Sequence, residues 1–585
     1  MRALLRKAGD AVLRFEQSSF GGLSTGGIIA ALLGLFASLS PSILPRPWVM
    51  QGIISGLVLT LFYPLGVLVE WIVRRIAGAI DFQYSISPGA KRVLSIGWFL
   101  LTAAVYLSAQ AISLGWQRES AALVGAPEPG ADYVLGSLLM TSLVFLVIMT
   151  IYRGIHWAVL RADTLGRRLL PAAVSRSLAT LVVLVLAVVL VDRLVLVNII
   201  QVAEQRDGSP PEGVSAPTSS LRSGGPGSNE SWASLGTEGA QFVSRGPTAA
   251  EISEVTGEPA IEPIRAYAGL GDYDSDQSVD ADLLSAVADD VVGELERTGA
   301  FDRAAILVYT TTGTGWVNEW HAAAFEYLEG GDTAIAAMQY SRFPSALALL
   351  TDTQTPQLAG QLLYSAVADK LDDLPEDSRP KLYLGGESLG AFGGQSTFST
   401  PQAQLAGVDG AVWSGTPGFT PLHSALTAER MPGSTEVNPV IDNGRHFRFA
   451  ARQAELVADQ YGRPLGPWLE PRVLYLQHPS DPVVWWSMDL LFNSPDWIDE
   501  PPGADVTGQV SFTPIATLLQ ISADMAVATN VDSGHGHVYH EELVPAWAAV
   551  LGQDPTEDYS KVEMAVCAEI RPLDPALCDP AQIGD

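Results

Sequence analysis

The chain has 585 residues, too many for one ordinary domain, and a positive mean hydropathy of +0.21, unusual for a soluble enzyme. It carries 34 basic and 64 acidic residues, so it lacks the basic surface that nucleic-acid binding needs. The charge is uneven: residues 1–201 hold 16 Lys and Arg against 9 Asp and Glu, and the remainder holds 18 against 55.

Five apolar stretches come first, near residues 24–44, 49–73, 93–115, 132–152 and 178–199. A stretch of about 20 such residues crosses a bilayer as a helix. The first is rich in Gly and Ser and closes on prolines. Basic residues gather on one side of these spans. The N-terminal arm carries Arg2, Arg6, Lys7 and Arg14; the second-to-third connection carries Arg74, Arg75, Lys91 and Arg92. The fourth-to-fifth carries Arg153, Arg161, Arg167, Arg168 and Arg176, whereas the other two connections hold only Arg46 and Arg118. This bias predicts a plasma-membrane protein with a cytoplasmic N-terminus. Five crossings then place everything beyond residue 200 outside. A cleaved signal peptide is disfavoured, because four more apolar stretches follow. Glu70, Asp192 and Arg193 lie near span ends, where charged side chains snorkel to water. Few polar residues fall inside the spans, which gives a transporter no obvious path.

Residues 202–235 are rich in Ser, Gly and Pro, as in Ser223-Gly224-Gly225-Pro226-Gly227-Ser228, and read as a tether. From residue 236 to 585 the composition is globular. Strands are expected at Ile264–Ala268, Ala304–Tyr309, Ala334–Gln339, Leu382–Leu384, Ala411–Trp413 and Arg472–Gln477. Helices are expected at Asp280–Thr298, Trp316–Tyr327 and Pro356–Leu374, with Asp280 as an N-cap. Such alternation predicts a mainly parallel sheet with helices on both faces, following an α-helical membrane domain. No clear final strand lies between Asp481 and His535; Thr513–Thr529 reads as helix.

Gly386-Glu387-Ser388-Leu389-Gly390 follows the apolar run Leu382–Leu384 and precedes the small residues Ala391-Phe392-Gly393-Gly394. Strand, sharp turn and helix are the layout of a nucleophile elbow, in which glycines two residues from the serine avoid a Cβ clash. An acid and a base follow in the order Ser, Asp, His. Asp481 closes the strand Val473–Leu476 in His478-Pro479-Ser480-Asp481-Pro482. It lies 93 residues after Ser388 and 56 before His537. His537 precedes the helix-like stretch Glu541–Leu551. His535 is the alternative base, His540 reads as a surface residue, and Asp409 and Asp532 are lesser candidates for the acid. In this reading the histidine takes the Ser388 proton and Asp481 holds the imidazole. Oxyanion donors would be the backbone N–H of Leu389 and of Thr311 or Thr312, in the Thr/Gly loop after the second strand.

The bland readings are a turn aspartate, a tight strand–helix turn and a chance Gly-x-Ser-x-Gly; the conjunction of all three motifs in order weighs against them. A zinc site at His478, Asp481, His535 and His537 lacks the usual ligand spacing, so no metal and no cofactor is expected. The two cysteines, Cys567 and Cys578, would pair as a disulfide outside the cytoplasm.

On Ser223–Ser228, Thr312-Gly313-Thr314-Gly315-Trp316, Gln339-Tyr340-Ser341, Gly386–Gly390 and Gly534-His535-Gly536-His537-Val538-Tyr539, the chain resembles a bacterial, mostly actinobacterial, family of membrane-anchored α/β-hydrolases. That resemblance implies a multi-helix membrane domain and a serine hydrolase in the cell envelope. A lipid or acyl-ester substrate is expected, without a nucleic-acid partner. Acyl transfer to an alcohol by the same triad is the close alternative, and a non-catalytic membrane scaffold or sensor on this fold is the alternative of another class.

Overall fold

The computed structural model describes residues 24–80, 87–191, 209–211, 213–273, 279–342 and 353–570. The basic N-terminal arm, Asp192, Arg193 and Cys578 fall outside the described residues. The chain divides into two compact units.

Among the described residues, the N-terminal part of the first unit forms helices α1 (Thr25–Leu39), α2 (Trp48–Ala79), α3 (Pro88–Leu123), α4 (Asp132–Gly166) and α5 (Ala172–Val191). Three of them, within α2, α3 and α4, are long and apolar enough to cross a membrane. The five expected spans are corrected on one point. Helix α1 has only 15 residues, because the Pro41–Pro47 segment stops it. The end of the fifth expected span lies outside the described residues. Small residues let helices approach: a Cβ on Gly66 of α2 would lie 2.1 Å from the carbonyl oxygen of Gly26 in α1. Glu70 of α2 accepts from the N–H of Gly26 at 2.8 Å, so it is tied to the start of α1 as well as to Arg74.

The unit boundaries also differ from the expected ones. Residues 488–499 and 504–530 pack with the N-terminal helices, although they lie between Asp481 and His537 in sequence. Their helix, Ala516–Asp524, buries Ala516 against Ile54 and Val58 of α2. Gln520 Nε2 donates to the carbonyl oxygen of Ser40 at 2.9 Å, and Thr507 Oγ1 donates to Glu119 at 2.7 Å. An apolar helical segment flanked by polar anchors satisfies both requirements of such docking.

The second unit is built on a seven-stranded sheet in the order β1-β3-β2-β4-β5-β7-β6, parallel throughout. Its strands are β1 (Ile264–Ala268), β2 (Ala305–Thr310), β3 (Thr333–Met338), β4 (Lys381–Glu387), β5 (Gly410–Ser414), β6 (Phe447–Ala450) and β7 (Arg472–Leu476). Helices α6 (Ala281–Thr298), α7 (Glu319–Leu328), α8 (Gln354–Asp372), α9 (Leu389–Gln395), α10 (Ala516–Asp524, in the first unit) and α11 (Leu543–Leu551) complete the elements used below. A parallel sheet is covered on both faces, so its strands are apolar at nearly every position. Alternation sorts them into two cores. Leu307, Ile335, Tyr383, Val412 and Leu474 pack with α7 and α11 on one face. Ile306, Ala336, Leu384, Trp413 and Val473 pack with α6 and α8 on the other. Asp280 caps α6, accepting from Leu283 N–H at 3.1 Å. No strand follows β7 among the described residues, as the sequence indicates. Strand β6 has only four residues and was not foreseen.

The expected tether is corrected as well. Ser223 N–H donates to the carbonyl oxygen of Arg265 in β1 at 3.1 Å. Ser223 Oγ accepts from Tyr267 N–H at 2.9 Å and donates to Glu294 at 3.0 Å. The Ser/Gly/Pro composition serves tight turning against the sheet edge rather than mobility: a Cβ on Gly225 would lie 2.3 Å from the Ser219 carbonyl oxygen. Beside this edge, the fully buried Arg265 pairs with Glu319 at 2.5 Å and Glu326 at 2.7 Å, both on α7.

Candidate active site

Strand β4 ends at Glu387 and α9 begins at Leu389, so Ser388 alone makes the turn. Its φ is 55° and ψ −121°, a strained conformation for a residue with a side chain. Both flanking glycines are sterically required. A Cβ on Gly390 would lie 2.2 Å from the carbonyl oxygen of Thr310, and one on Gly386 would lie 2.9 Å from the carbonyl carbon of Gly390. The Ser388 N–H donates to the carbonyl oxygen of Ser414 at 2.9 Å, which ties the elbow to the end of β5.

Asp481 follows the C-terminal end of β7 and is fully buried. Its Oδ1 accepts from Val483 N–H at 2.8 Å. Its Oδ2 faces His537 Nδ1 at 2.7 Å and accepts from Tyr539 Oη at 2.8 Å. His537, not His535, is therefore the histidine that meets the acid. The His537 ring lies over Gly415, where a Cβ would be 2.5 Å from its Cε1. Gly415 is next to Ser414, the residue that holds the Ser388 backbone. The three side chains thus gather at the C-terminal ends of β4, β5 and β7, the usual location of sites on open parallel sheets.

The histidine loop is fixed by its own hydrogen bonds. Gly536 N–H donates to Ser480 Oγ at 2.8 Å, and His478 Nδ1 donates to the Gly536 carbonyl oxygen at 2.9 Å. His478 Nε2 lies 3.0 Å from the buried Glu542, and its ring stacks on Tyr539 with centroids 4.2 Å apart. Of the four residues named above as metal-ligand candidates, His478, Asp481 and His537 are held in these contacts. Among the described residues, no three His, Cys, Asp or Glu side chains converge as a metal site.

Burial alone pulls the His537 imidazole down, but the charge and hydrogen bond of Asp481, with Glu387 behind it, leave it above the ordinary histidine value. Glu387 was not foreseen as part of the site. It is buried beneath the serine, and its Oε2 accepts from Asn318 Nδ2 at 2.8 Å and Ser414 Oγ at 3.0 Å. Burial pushes it up to about 7 against the His537 charge. Asn318 Nδ2 also donates to the Tyr539 carbonyl oxygen at 2.9 Å, so one amide joins the elbow to the histidine loop. Tyr539 was likewise missed as a partner of the acid, although its place two residues after His537 offered a signal.

The other candidates divide. Thr312 N–H is spent on the Trp316 carbonyl oxygen at 3.2 Å, which removes it as a free donor. Thr311 turns its hydroxyl to the Met338 carbonyl oxygen at 2.7 Å, and the end of β2 abuts Gly390 of the elbow. Asp409 is structural: its carboxylate accepts from Leu382 N–H at 2.8 Å. His540 stacks on Trp320.

The profile of the alpha/beta-hydrolase family matches residues 264–564, which hold every strand and all three side chains above. The chain belongs to the alpha/beta-hydrolase family. A second profile, for the N-terminus of that family, matches residues 39–247. It runs through the helices and the Ser223–Ser228 turn, so the helical unit belongs with this hydrolase. No curated protein and no solved structure matches the chain.

Proposed function

We propose that this hydrolase is a membrane-anchored serine esterase acting through an acyl-enzyme on a lipid or acylated envelope substrate. The carrying observation is the 2.7 Å approach of His537 Nδ1 to Asp481 Oδ2 beside the strained Ser388. With Nδ1 turned to the acid, Nε2 is the nitrogen that serves as base. Ser388 Oγ attacks the ester carbonyl carbon and its proton passes to Nε2. The tetrahedral oxyanion is met by the N–H of Leu389 and that of Thr311. The collapsing intermediate breaks the C–O bond, and Nε2 returns the proton to the leaving alcohol. Water, activated by the same nitrogen, then releases the acid and restores Ser388. Asp481 stabilises the imidazolium throughout.

The three helices long enough to span support an anchor. The bias of basic residues supports an outward-facing catalytic unit. Labelling of intact cells with a membrane-impermeant fluorophosphonate tests both. Wild type should label and Ser388→Ala should not. Labelling of wild type only after lysis would reverse the orientation, and no labelling in either state would overturn the serine mechanism.

A further inference from the structure

Glu387 takes no part in the proton transfers above, yet it is an acid buried at the residue before the nucleophile. Burying a carboxylate is costly, and a glutamine would accept the same hydrogen bonds without that cost. What a glutamine does not supply is charge.

The hydrogen bonds around Glu387 run in one direction and end on its carboxylate. On α11, Trp547 Nε1, a group that only donates, lies 3.1 Å from His321 Nδ1 on α7. His321 therefore carries its proton on Nε2, and burial keeps the ring neutral, its value pulled down to about 3. Nε2 donates to Ser414 Oγ at 3.0 Å. That leaves the Ser414 hydroxyl to donate to Glu387 Oε2 at 3.0 Å. Asn318 Nδ2, from the N-cap of α7, donates to the same oxygen at 2.8 Å. All five residues are at most 4% exposed, so water does not compete for the donors. Two donors on one oxygen favour the ionised carboxylate. The same residues touch the reacting groups: the Ser414 carbonyl oxygen holds the Ser388 N–H, and Asn318 holds the Tyr539 carbonyl oxygen in the histidine loop.

We propose that Glu387 is a positioning residue of the esterase reaction: its carboxylate gives the His537 imidazolium a second negative charge, after Asp481, when the Ser388 proton is taken. This role rests on the serine mechanism above. It acts through space in the low-dielectric interior. The titratable groups facing Glu387 are His537 and Asp481, with the phenols of Tyr309 and Tyr539, which burial holds neutral. Those facing His537 are Asp481, Glu387 and His478. Burial pushes Glu387 up to about 7, so its charge is absent well below neutrality and present above it.

That switching separates an electrostatic role from a packing one. Full-length wild type, Glu387→Gln and Ser414→Ala are compared in phosphatidylcholine nanodiscs from about pH 5.5 to about pH 8.5. The ratio of fluorophosphonate labelling rates, wild type over Glu387→Gln, should be near one at the acid end and rise to about tenfold at the alkaline end. Ser414→Ala removes one donor to the carboxylate and should move the rise in its own labelling rate to higher pH. A ratio that does not change with pH assigns Glu387 to packing and overturns the proposal. Diethylpyrocarbonate, which modifies neutral imidazole, reads His537 without using Ser388, with the modified residue located by mass spectrometry. The His537 midpoint should fall by about one pH unit in Glu387→Gln; an unmoved midpoint also overturns the proposal. A shifted midpoint in a protein that never labels would strike the serine mechanism and keep the coupling of Glu387 to His537.

Discussion

Tyr539 and His537 share one oxygen of Asp481: the phenol donates to Oδ2 at 2.8 Å, and the imidazole Nδ1 meets it at 2.7 Å. Two donors on one oxygen fix the carboxylate plane, and with it the direction of His537 Nε2. Tyr539→Phe removes the charge-assisted bond, worth about 1.5–3 kcal/mol. We expect kcat/KM for a short-chain ester to fall about tenfold to a hundredfold. An unchanged kcat/KM would show that Val483 N–H alone orients the acid.

The two glycine-flanked histidines should separate cleanly. His537→Ala should lower kcat by about a thousandfold or more, since it removes the base. His535→Ala should stay within a few fold of wild type. Steady-state kinetics on both variants decides the matter; the reverse ranking would make the Asp481–His537 contact purely structural.

Gly390→Ala places a methyl 2.2 Å from the Thr310 carbonyl oxygen. Backbone does not yield as a side-chain tip does, so β2 and the elbow must part. We expect a loss of about 1–3 kcal/mol in stability and a larger loss of fluorophosphonate labelling rate. Labelling at the wild-type rate would mean that the elbow tolerates the shift.

Buried acids give stability an inverted pH dependence. Glu387, Glu541 and Glu563 are pushed up to about 7 and Glu569 to about 8, in each case first by burial. Their folded values exceed the unfolded value of about 4.5. Between these limits the native state binds more protons than the unfolded one, so stability falls as pH rises. Melting temperature should therefore drop from pH 5 to pH 8. Glu387→Gln should flatten that slope by its own share, of order 1–3 kcal/mol. A melting curve that rises over this range would refute the account.

Arg265 has both neighbouring glutamates, Glu319 and Glu326, on one helix. Arg265→Met leaves two buried carboxylates without their cation and should cost about 3–5 kcal/mol. Combining it with Glu319→Gln and Glu326→Gln should recover part of the loss in thermal melts. Failure to recover would assign the effect to packing against Phe242.

Much of the catalytic unit was legible because its determinants are local. Six strands announced themselves as apolar runs, Asp280 as a cap, and the elbow as glycines around a serine. What stayed hidden depends on distant partners. Strand β6 owes its existence to pairing with β7, not to its four residues. Glu387 looks like a free position in Gly-x-Ser-x-Gly until Asn318 and Ser414 close on it. The Ser223–Ser228 segment has tether composition, and only Arg265 and Glu294 reveal why its small residues are needed. The choice between His535 and His537 required the direction of the loop, which Ser480 and His478 set.

The excursion of residues 488–499 and 504–530 into the helical unit bears on how such a chain can be inherited or dissected. Its docking surface is matched to Ile54, Val58 and Ser40, while its two ends lead directly to Asp481 and to His537. A recombination that joined this catalytic half to foreign helices would carry along a docking segment without its receptor. The same holds at the bench: severing the chain between the units would strand an apolar helix in the middle of the catalytic half. A version of the second unit without the first would need residues 488–499 and 504–530 replaced by short polar turns on either side of Glu500–Gly503.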